Sequence, residues 1–147
     1  MEIAILGLGC FWGPEIKFSE LDGVIKTEVG YCGGNSNETT YKEVCNGTTN
    51  HAEVVKLDFD PKIISYEKIL KYFFEIHDPT TLNSQGPDFG TQYRSEIFYL
   101  NDQQKEISEK IVKEENIKFS GKIVTKTSLV KNYCPAEEYH QKYLQKR

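Results

Sequence analysis

The apolar positions of this chain repeat at two periods, and the period identifies each element. Glu2 to Leu8 is apolar on both faces, Ile3 and Ile5 against Ala4, Leu6 and Leu8. That predicts a strand buried in the middle of a sheet. Pro14, Ile16, Phe18, Ser19 and Leu21 predict a short helix with the proline in its first turn. After an Asp22-Gly23 turn, Val24 to Tyr31 alternates, with Ile25, Thr27, Val29 and Tyr31 on one face and Lys26 and Glu28 on the other. This is a half-buried strand. Cys32 to Asn37 is a loop by composition, Thr40 to Cys45 a short helical turn and Asn46 to Asn50 loop again. His51 to Phe59 predicts the next strand, whose period of two puts Glu53 in one row with Val55, Leu57 and Phe59, and Ala52 and Val54 with Lys56 and Asp58 in the other.

The clearest helix runs from Ser65, a good N-cap, to His77, with Tyr66, Ile69, Leu70, Phe73, Phe74 and His77 on one stripe. Asp78 to Tyr93 is a long polar loop, of a kind that usually carries function. Arg94 to Leu100 predicts a strand, and Asn101-Asp102 caps a charged helix to about Asn116. Lys122 to Val130 predicts a last strand, broken by Tyr133-Cys134-Pro135, and Ala136 to Leu144 a terminal helix. The order βαββαβαβα reads as an α+β fold. It is a two-layer sandwich with a mixed sheet, a ferredoxin-like (split βαβ) core and additional helices.

The 147 residues suit one domain over 1–147 with a sizeable core. Nine Tyr, eight Phe and one Trp with 27% charged residues describe a folded, soluble chain. Eighteen basic against 22 acidic side chains give a net charge of −4 without a basic patch, so no nucleic-acid partner is expected. No apolar run is long enough to span a bilayer, and the N-terminal strand lacks the basic start of a signal peptide. A cytoplasmic monomer with no membrane partner is expected. The four cysteines, at 10, 32, 45 and 134, have neither a C-x-x-C pair nor metal-ligand spacing. Neither a structural metal nor a disulfide framework is expected, and reactive single thiols remain.

Gly9-Cys10-Phe11-Trp12-Gly13 joins the first strand to the first helix. A cysteine beside a helix N-terminus gains stabilisation of its thiolate. The turn alone leaves two readings open, a reactive thiol or a small buried hydrophobe. Glu53, in an apolar row, should lose hydration and gain a raised pKa, unless the strand end leaves it solvated. His77 reads as a cation at a helix C-terminus or as a packed histidine.

Several motifs then act together. They are Gly9-Cys10-Phe11-Trp12-Gly13, Gly30-Tyr31 with Gly33-Gly34, Thr40-Tyr41 with Glu43-Val44-Cys45, His51-Ala52-Glu53, His77-Asp78-Pro79, Gln85-Gly86 with Asp88 and Gly90 to Ser95, and Pro135 to His140. In register over nearly the whole chain, they resemble the peptide methionine sulfoxide reductase A family. The resemblance implies reduction of the S epimer of methionine sulfoxide, free or in proteins, without a cofactor. It implies Cys10 as nucleophile, Glu53 as the acid that protonates the sulfoxide oxygen, and Tyr41 and Tyr93 as hydrogen-bond donors beside it. Phe11 and Trp12 would form the S-methyl pocket, and Asp88 would lie on the substrate-side wall. The chemistry is consistent, because a sulfoxide sulfur is a poor electrophile until its oxygen takes a proton, and a neutral carboxyl can supply one.

Two departures from the family pattern stand out. The family often resolves the sulfenic acid with cysteines in a glycine-rich C-terminal tail, which this sequence lacks. Cys134 and Cys32 are the candidate resolving thiols. Cys45 matches a family cysteine that is not usually the resolver. The expected cycle uses an external thiol instead, glutathione with glutaredoxin, thioredoxin or a small dithiol. Asn50 replaces the usual glycine before the histidine, a change that a left-handed asparagine can absorb. Some members also carry selenocysteine at the nucleophile. The competing readings are a cysteine hydrolase pairing Cys10 with His51 or His140, and a non-catalytic peptide-binding module. A dinucleotide fingerprint fails, because Trp12 stands where the third glycine belongs.

Overall fold

The computed structural model describes residues 1–36 and 38–145; Asn37, part of the expected glycine-rich loop, lies outside the described residues. Four segments form the centre of a six-stranded sheet: β1 (Glu2–Leu8), β2 (Val24–Cys32), β3 (Ala52–Phe59) and β6 (Ser95–Tyr99). They lie in the order β6-β1-β3-β2, and each pair of neighbours is antiparallel. With α1 (Trp12–Ser19) between β1 and β2 and α3 (Tyr66–Glu75) between β3 and β6, this is the expected split βαβ core. Each edge then gains a strand. β7 (Lys126–Leu129) joins β6 in parallel after the crossover helix α4 (Asp102–Lys118), which makes the sheet mixed, and β8 (Cys134–Pro135) pairs with β2.

The alternation along each strand sorts its side chains into two cores. Ala4, Leu6, Val29, Val55, Leu57, Phe59 and Ile97 face the helices and pack on Phe18, Ile69, Leu70, Phe73 and Ile111. Ile5, Cys32, Ala52, Val54 and Phe98 fill a smaller cluster on the other face, covered by Val130 and Tyr133. Both long helices start on the caps their sequences offer. Ser65 Oγ accepts from Lys68 N–H at 3.1 Å, and Asn101 Oδ1 accepts from Gln104 N–H at 2.9 Å. His77 lies just beyond α3 as a packed histidine. It donates to Phe73 O at 2.6 Å and accepts from Ser95 Oγ at 2.7 Å, and burial lowers its pKa to about 4.

Several elements differ from the sequence pattern. Ile25 was expected inward, but a register shift between Val24 and Lys26 turns it out, and it is 61% exposed. The strand expected from Lys122 starts only at Lys126. Before it, Ile123 N–H bonds Asn116 Oδ1 and Val124 N–H bonds Pro79 O, so these donors never reach the sheet. The long loop contains a two-residue hairpin, β4 (Ser84–Gln85) with β5 (Asp88–Phe89), and a 3-10 turn at Thr91–Tyr93. The expected terminal helix is instead a strap with one 3-10 turn, Glu138–His140. Its polar groups serve the sheet edge rather than a helix: Ala136 N–H and the Gln141 amide both donate to Val29 O, and Gln141 Oε1 accepts from Val29 N–H. Lys142 then takes a left-handed φ of +52° and donates its N–H to the buried Glu15 carboxylate at 2.7 Å.

Candidate active site

β1 ends at Leu8, and Gly9, at φ +96°, turns the chain into α1. A Cβ at Gly9 would lie 2.7 Å from Gln85 Cγ, so the hairpin loop packs directly on this backbone. Gln85 is held in turn by Asp78, whose N–H donates to Gln85 Oε1 at 3.1 Å and whose carbonyl accepts from the Gln85 amide. Cys10 follows, half-buried, and Phe11 is the first residue of the helix boundary.

Phe11 N–H donates to Glu53 Oε1 at 3.3 Å, which brings β3 up to the Cys10 turn. Glu53 is 1% exposed, and its Oε2 has no hydrogen-bond partner among the described residues. Burial raises its pKa to about 8; the Phe11 N–H pulls the other way and the Asp88 charge adds to the rise. Near pH 7 the protonated form of Glu53 therefore predominates. A buried acid with one unused oxygen is a proton donor awaiting an acceptor.

Cys10 differs from the expectation of a favoured thiolate. Burial lifts its pKa to about 11, the Trp12 N–H at the helix start lowers it, and the Glu53, Asp88 and Cys45 charges raise it further. Helix stabilisation is present, but desolvation and neighbouring acids outweigh it. The resting group is a thiol.

The other expected residues surround this pair. Tyr93, on the 3-10 turn, has its pKa pushed up to about 12 by burial, with Glu53, Cys45, Asp88 and Cys10 all contributing. Tyr41, the first residue of α2 (Tyr41–Cys45), is raised by burial, by a hydrogen bond to the Cys45 thiol and by Glu53. Its N–H donates to Glu137 Oε2 at 2.9 Å, while Glu137 Oε1 accepts from Tyr31 OH at 2.8 Å. Phe11 is fully buried, with its ring 5.8 Å from Tyr31 and 5.3 Å from His140. Trp12 is half-buried. It stacks on Tyr143 at 3.9 Å and donates its indole N–H to His140 Nδ1 at 3.1 Å. The strap thus supplies Glu137 and His140. Both lie in the Pro135 to His140 motif, but a helix there gives neither a place beside Tyr41 and Trp12; the strap does.

The remaining cysteines and histidines are placed elsewhere. Cys32 is 0% exposed on the sheet face opposite Glu53, where its thiol donates to Lys131 O at 3.3 Å. Cys134 lies half-buried on edge strand β8, and Cys45 is exposed at the end of α2. His51 spends both ring nitrogens on loop backbone. Nδ1 accepts from Gly34 N–H at 3.1 Å, and Nε2 donates to Ser36 O at 2.7 Å. Asn50 adopts φ +59°, and its carbonyl accepts from Arg94 Nη2 at 3.0 Å. Among the described residues, no group of three or more His, Cys, Asp or Glu side chains could hold a metal ion.

A sequence model described as Peptide methionine sulfoxide reductase matches residues 2–147. The chain is 81% identical over 147 residues to the peptide methionine sulfoxide reductase MsrA of Pelagibacter ubique (strain HTCC1062), covering 100% of both chains. The structure resembles reduced Mxr1 from Saccharomyces cerevisiae with a TM-score of 0.94 at 43% identity, over 99% of this chain and 85% of that one. It also resembles Mxr1 in complex with Trx2, with a TM-score of 0.68 at 30% identity over 97% and 84%. Motifs, fold and likeness agree, and the chain belongs to the peptide methionine sulfoxide reductase A family of oxidoreductases.

Proposed function

We propose that this chain reduces the S epimer of methionine sulfoxide, free or in proteins, to methionine at the expense of thiols. Family membership carries the reaction class, and one observation carries the chemistry: a buried Glu53, its pKa raised by that burial, stands beside the Cys10 turn with one carboxyl oxygen unbonded among the described residues. Glu53 gives its proton to the sulfoxide oxygen, which makes the sulfur electrophilic. The Cys10 sulfur then attacks it, and its own proton restores the Glu53 acid. The hydroxyl then passes from the methionine sulfur to the Cys10 sulfur as the new S–S bond breaks and leaves its electron pair on methionine, so Cys10 becomes a sulfenic acid, one sulfur is reduced by two electrons and the other oxidised by two. Tyr41 and Tyr93 donate to the same oxygen as its charge develops, and each such donor lowers the barrier by about 3 kcal/mol.

Phe11 and Trp12 line the place of the S-methyl group, and Asp88 stands on the substrate side. Inverting the sulfur would set the methyl against the buried carboxyl and the oxygen against the aromatic rings, which disfavours the R epimer. An external thiol then reduces Cys10, with the chain acting as a monomer. The complex of Mxr1 with Trx2 supports a thioredoxin in this role, with glutaredoxin and glutathione as the other source. The burial of Cys32 on the opposite face argues against it as the resolving thiol. The hydrolase reading lacks a free base in His51, whose two nitrogens hold a loop. Racemic methionine sulfoxide with dithiothreitol tests the proposal. The S epimer should disappear and the R epimer persist, whereas equal consumption of both, or of neither, contradicts it.

A further inference from the structure

Arg94 directly follows Tyr93, and the chemistry above makes no use of its side chain. Its guanidinium donates in three directions. Nε bonds Glu96 Oε1 at 2.6 Å, Nη1 bonds Thr91 O at 2.9 Å and Nη2 bonds Asn50 O at 3.0 Å. Glu96 is held in turn, because Ser128 Oγ donates to its Oε2 at 2.6 Å. The two charged side chains are 11% and 6% exposed. They lie behind the site. Alternation along β6 puts Glu96 on the Phe98 face, away from Ile97 and the helices. A Cβ at Gly33 would touch both Phe98 and Arg94 Nη2, which places the guanidinium on that same face.

The three acceptors belong to different parts of the site. Thr91 O opens the 3-10 turn that ends in Tyr93, and it also accepts from Arg94 N–H at 3.2 Å. Asn50, left-handed at φ +59°, leads into β3 and Glu53. Glu96 belongs to β6. β3 pairs with β1 on one side and β2 on the other, so Glu53 is fixed by the sheet. The turn of Tyr93 lies outside the sheet, and the guanidinium ties it to the entry of β3. We propose that Arg94, braced by Glu96, is a positioning residue that aims the Tyr93 hydroxyl at the oxygen Glu53 protonates. The inference rests on the sulfoxide reductase reading and adds to it the group that sets its alignment. Stability alone does not explain the pair, since a buried ion pair gains little over apolar side chains of similar volume. Its planar fork supplies direction, which the point charge of a lysine cannot.

The test follows methionine release from free methionine sulfoxide in the first turnover, without recycling thiol. Arg94→Lys keeps the charge and loses the fork. Arg94→Met/Glu96→Leu removes both charges and keeps the volume, so its Tm should stay within about 5 °C of the wild type. Both variants should lower the limiting rate by at least about tenfold and by no more than the roughly hundredfold of Tyr93→Phe, with the half-saturating sulfoxide concentration within about twofold. In a Tyr93→Phe background each should cost no more than about twofold, because the group they aim is gone. A wild-type rate in the apolar pair, losses that multiply with that of Tyr93→Phe, or a rate that follows Tm alone across the variants overturns the proposal. Should the apolar pair fail to fold, the cycle of Arg94→Lys with Tyr93→Phe decides by itself. Absence of methionine release by the wild type would instead overturn the reading beneath it.

Discussion

Glu53→Gln keeps an acceptor for Phe11 N–H and removes the only titrating proton on that side chain. In the folded chain Glu53 holds its proton to about pH 8, against an ordinary value of 4.5 when unfolded. Between those values the folded state binds one more proton than the unfolded state. Stability is therefore fully present below pH 4.5 and is lost as pH rises toward 8, by about 1.4 kcal/mol per pH unit and about 5 kcal/mol across the window. Glutamine does not titrate, so the variant escapes this loss. Urea denaturation of both proteins at pH 4.5 and pH 8 should show the variant gaining several kcal/mol on the wild type between the two, because every other titrating group is common to both. The same substitution removes the general acid and should lower kcat by 10² to 10⁴. A stability difference that stays constant with pH would refute the buried, raised carboxyl and with it the proton donor.

Other substitutions probe the rest of the site. Tyr93→Phe should cost about 3 kcal/mol of transition-state stabilisation, about a hundredfold in kcat, with little change in Tm. Gly9→Ala forces a side chain into left-handed backbone and against Gln85, and should lower stability by about 1–3 kcal/mol in thermal unfolding. Gly34→Ala would drive a Cβ to 2.4 Å from His51 Cγ and should release the loop that His51 holds, read as faster proteolysis near Gly34. After one equivalent of substrate and no reductant, mass spectrometry should find oxygen on the Cys10 peptide and no disulfide between Cys10 and Cys32. That disulfide would contradict the external-thiol cycle.

The parts legible in the sequence are those set by periodicity. The two-faced apolar run of β1 marked the sheet centre, and the alternation of β3 marked Glu53 as a desolvated acid. Both patterns survive because one-residue slips would expose whole rows of side chains. Ile25 was misread where a bulge breaks that period, and alternation carries no signal of a bulge. The strap was misread because Ala136 to Leu144 has helical composition, whereas its hydrogen bonds go to Val29 and Glu15, more than a hundred residues away in the chain. Gln141 and Glu137 act there through side-chain contacts that no local pattern announces. The state of the Cys10 thiol was misjudged for a related reason. The helix start was visible, but the summed burial and the carboxylates of Glu53 and Asp88 belong to the tertiary structure.

In the proposed mechanism Cys10 and Glu53 act together on one S=O bond, with both protons in place at the start. The rate of the first turnover, measured by methionine release without recycling thiol, tests it across pH 6 to 10. The account predicts a kcat/KM that is flat below about pH 8 and falls about tenfold per unit above it as Glu53 ionises, with Glu53→Gln slow throughout. A rate that climbs from pH 8 to 10 with the ionisation of Cys10, and is matched by Glu53→Gln, would contradict it.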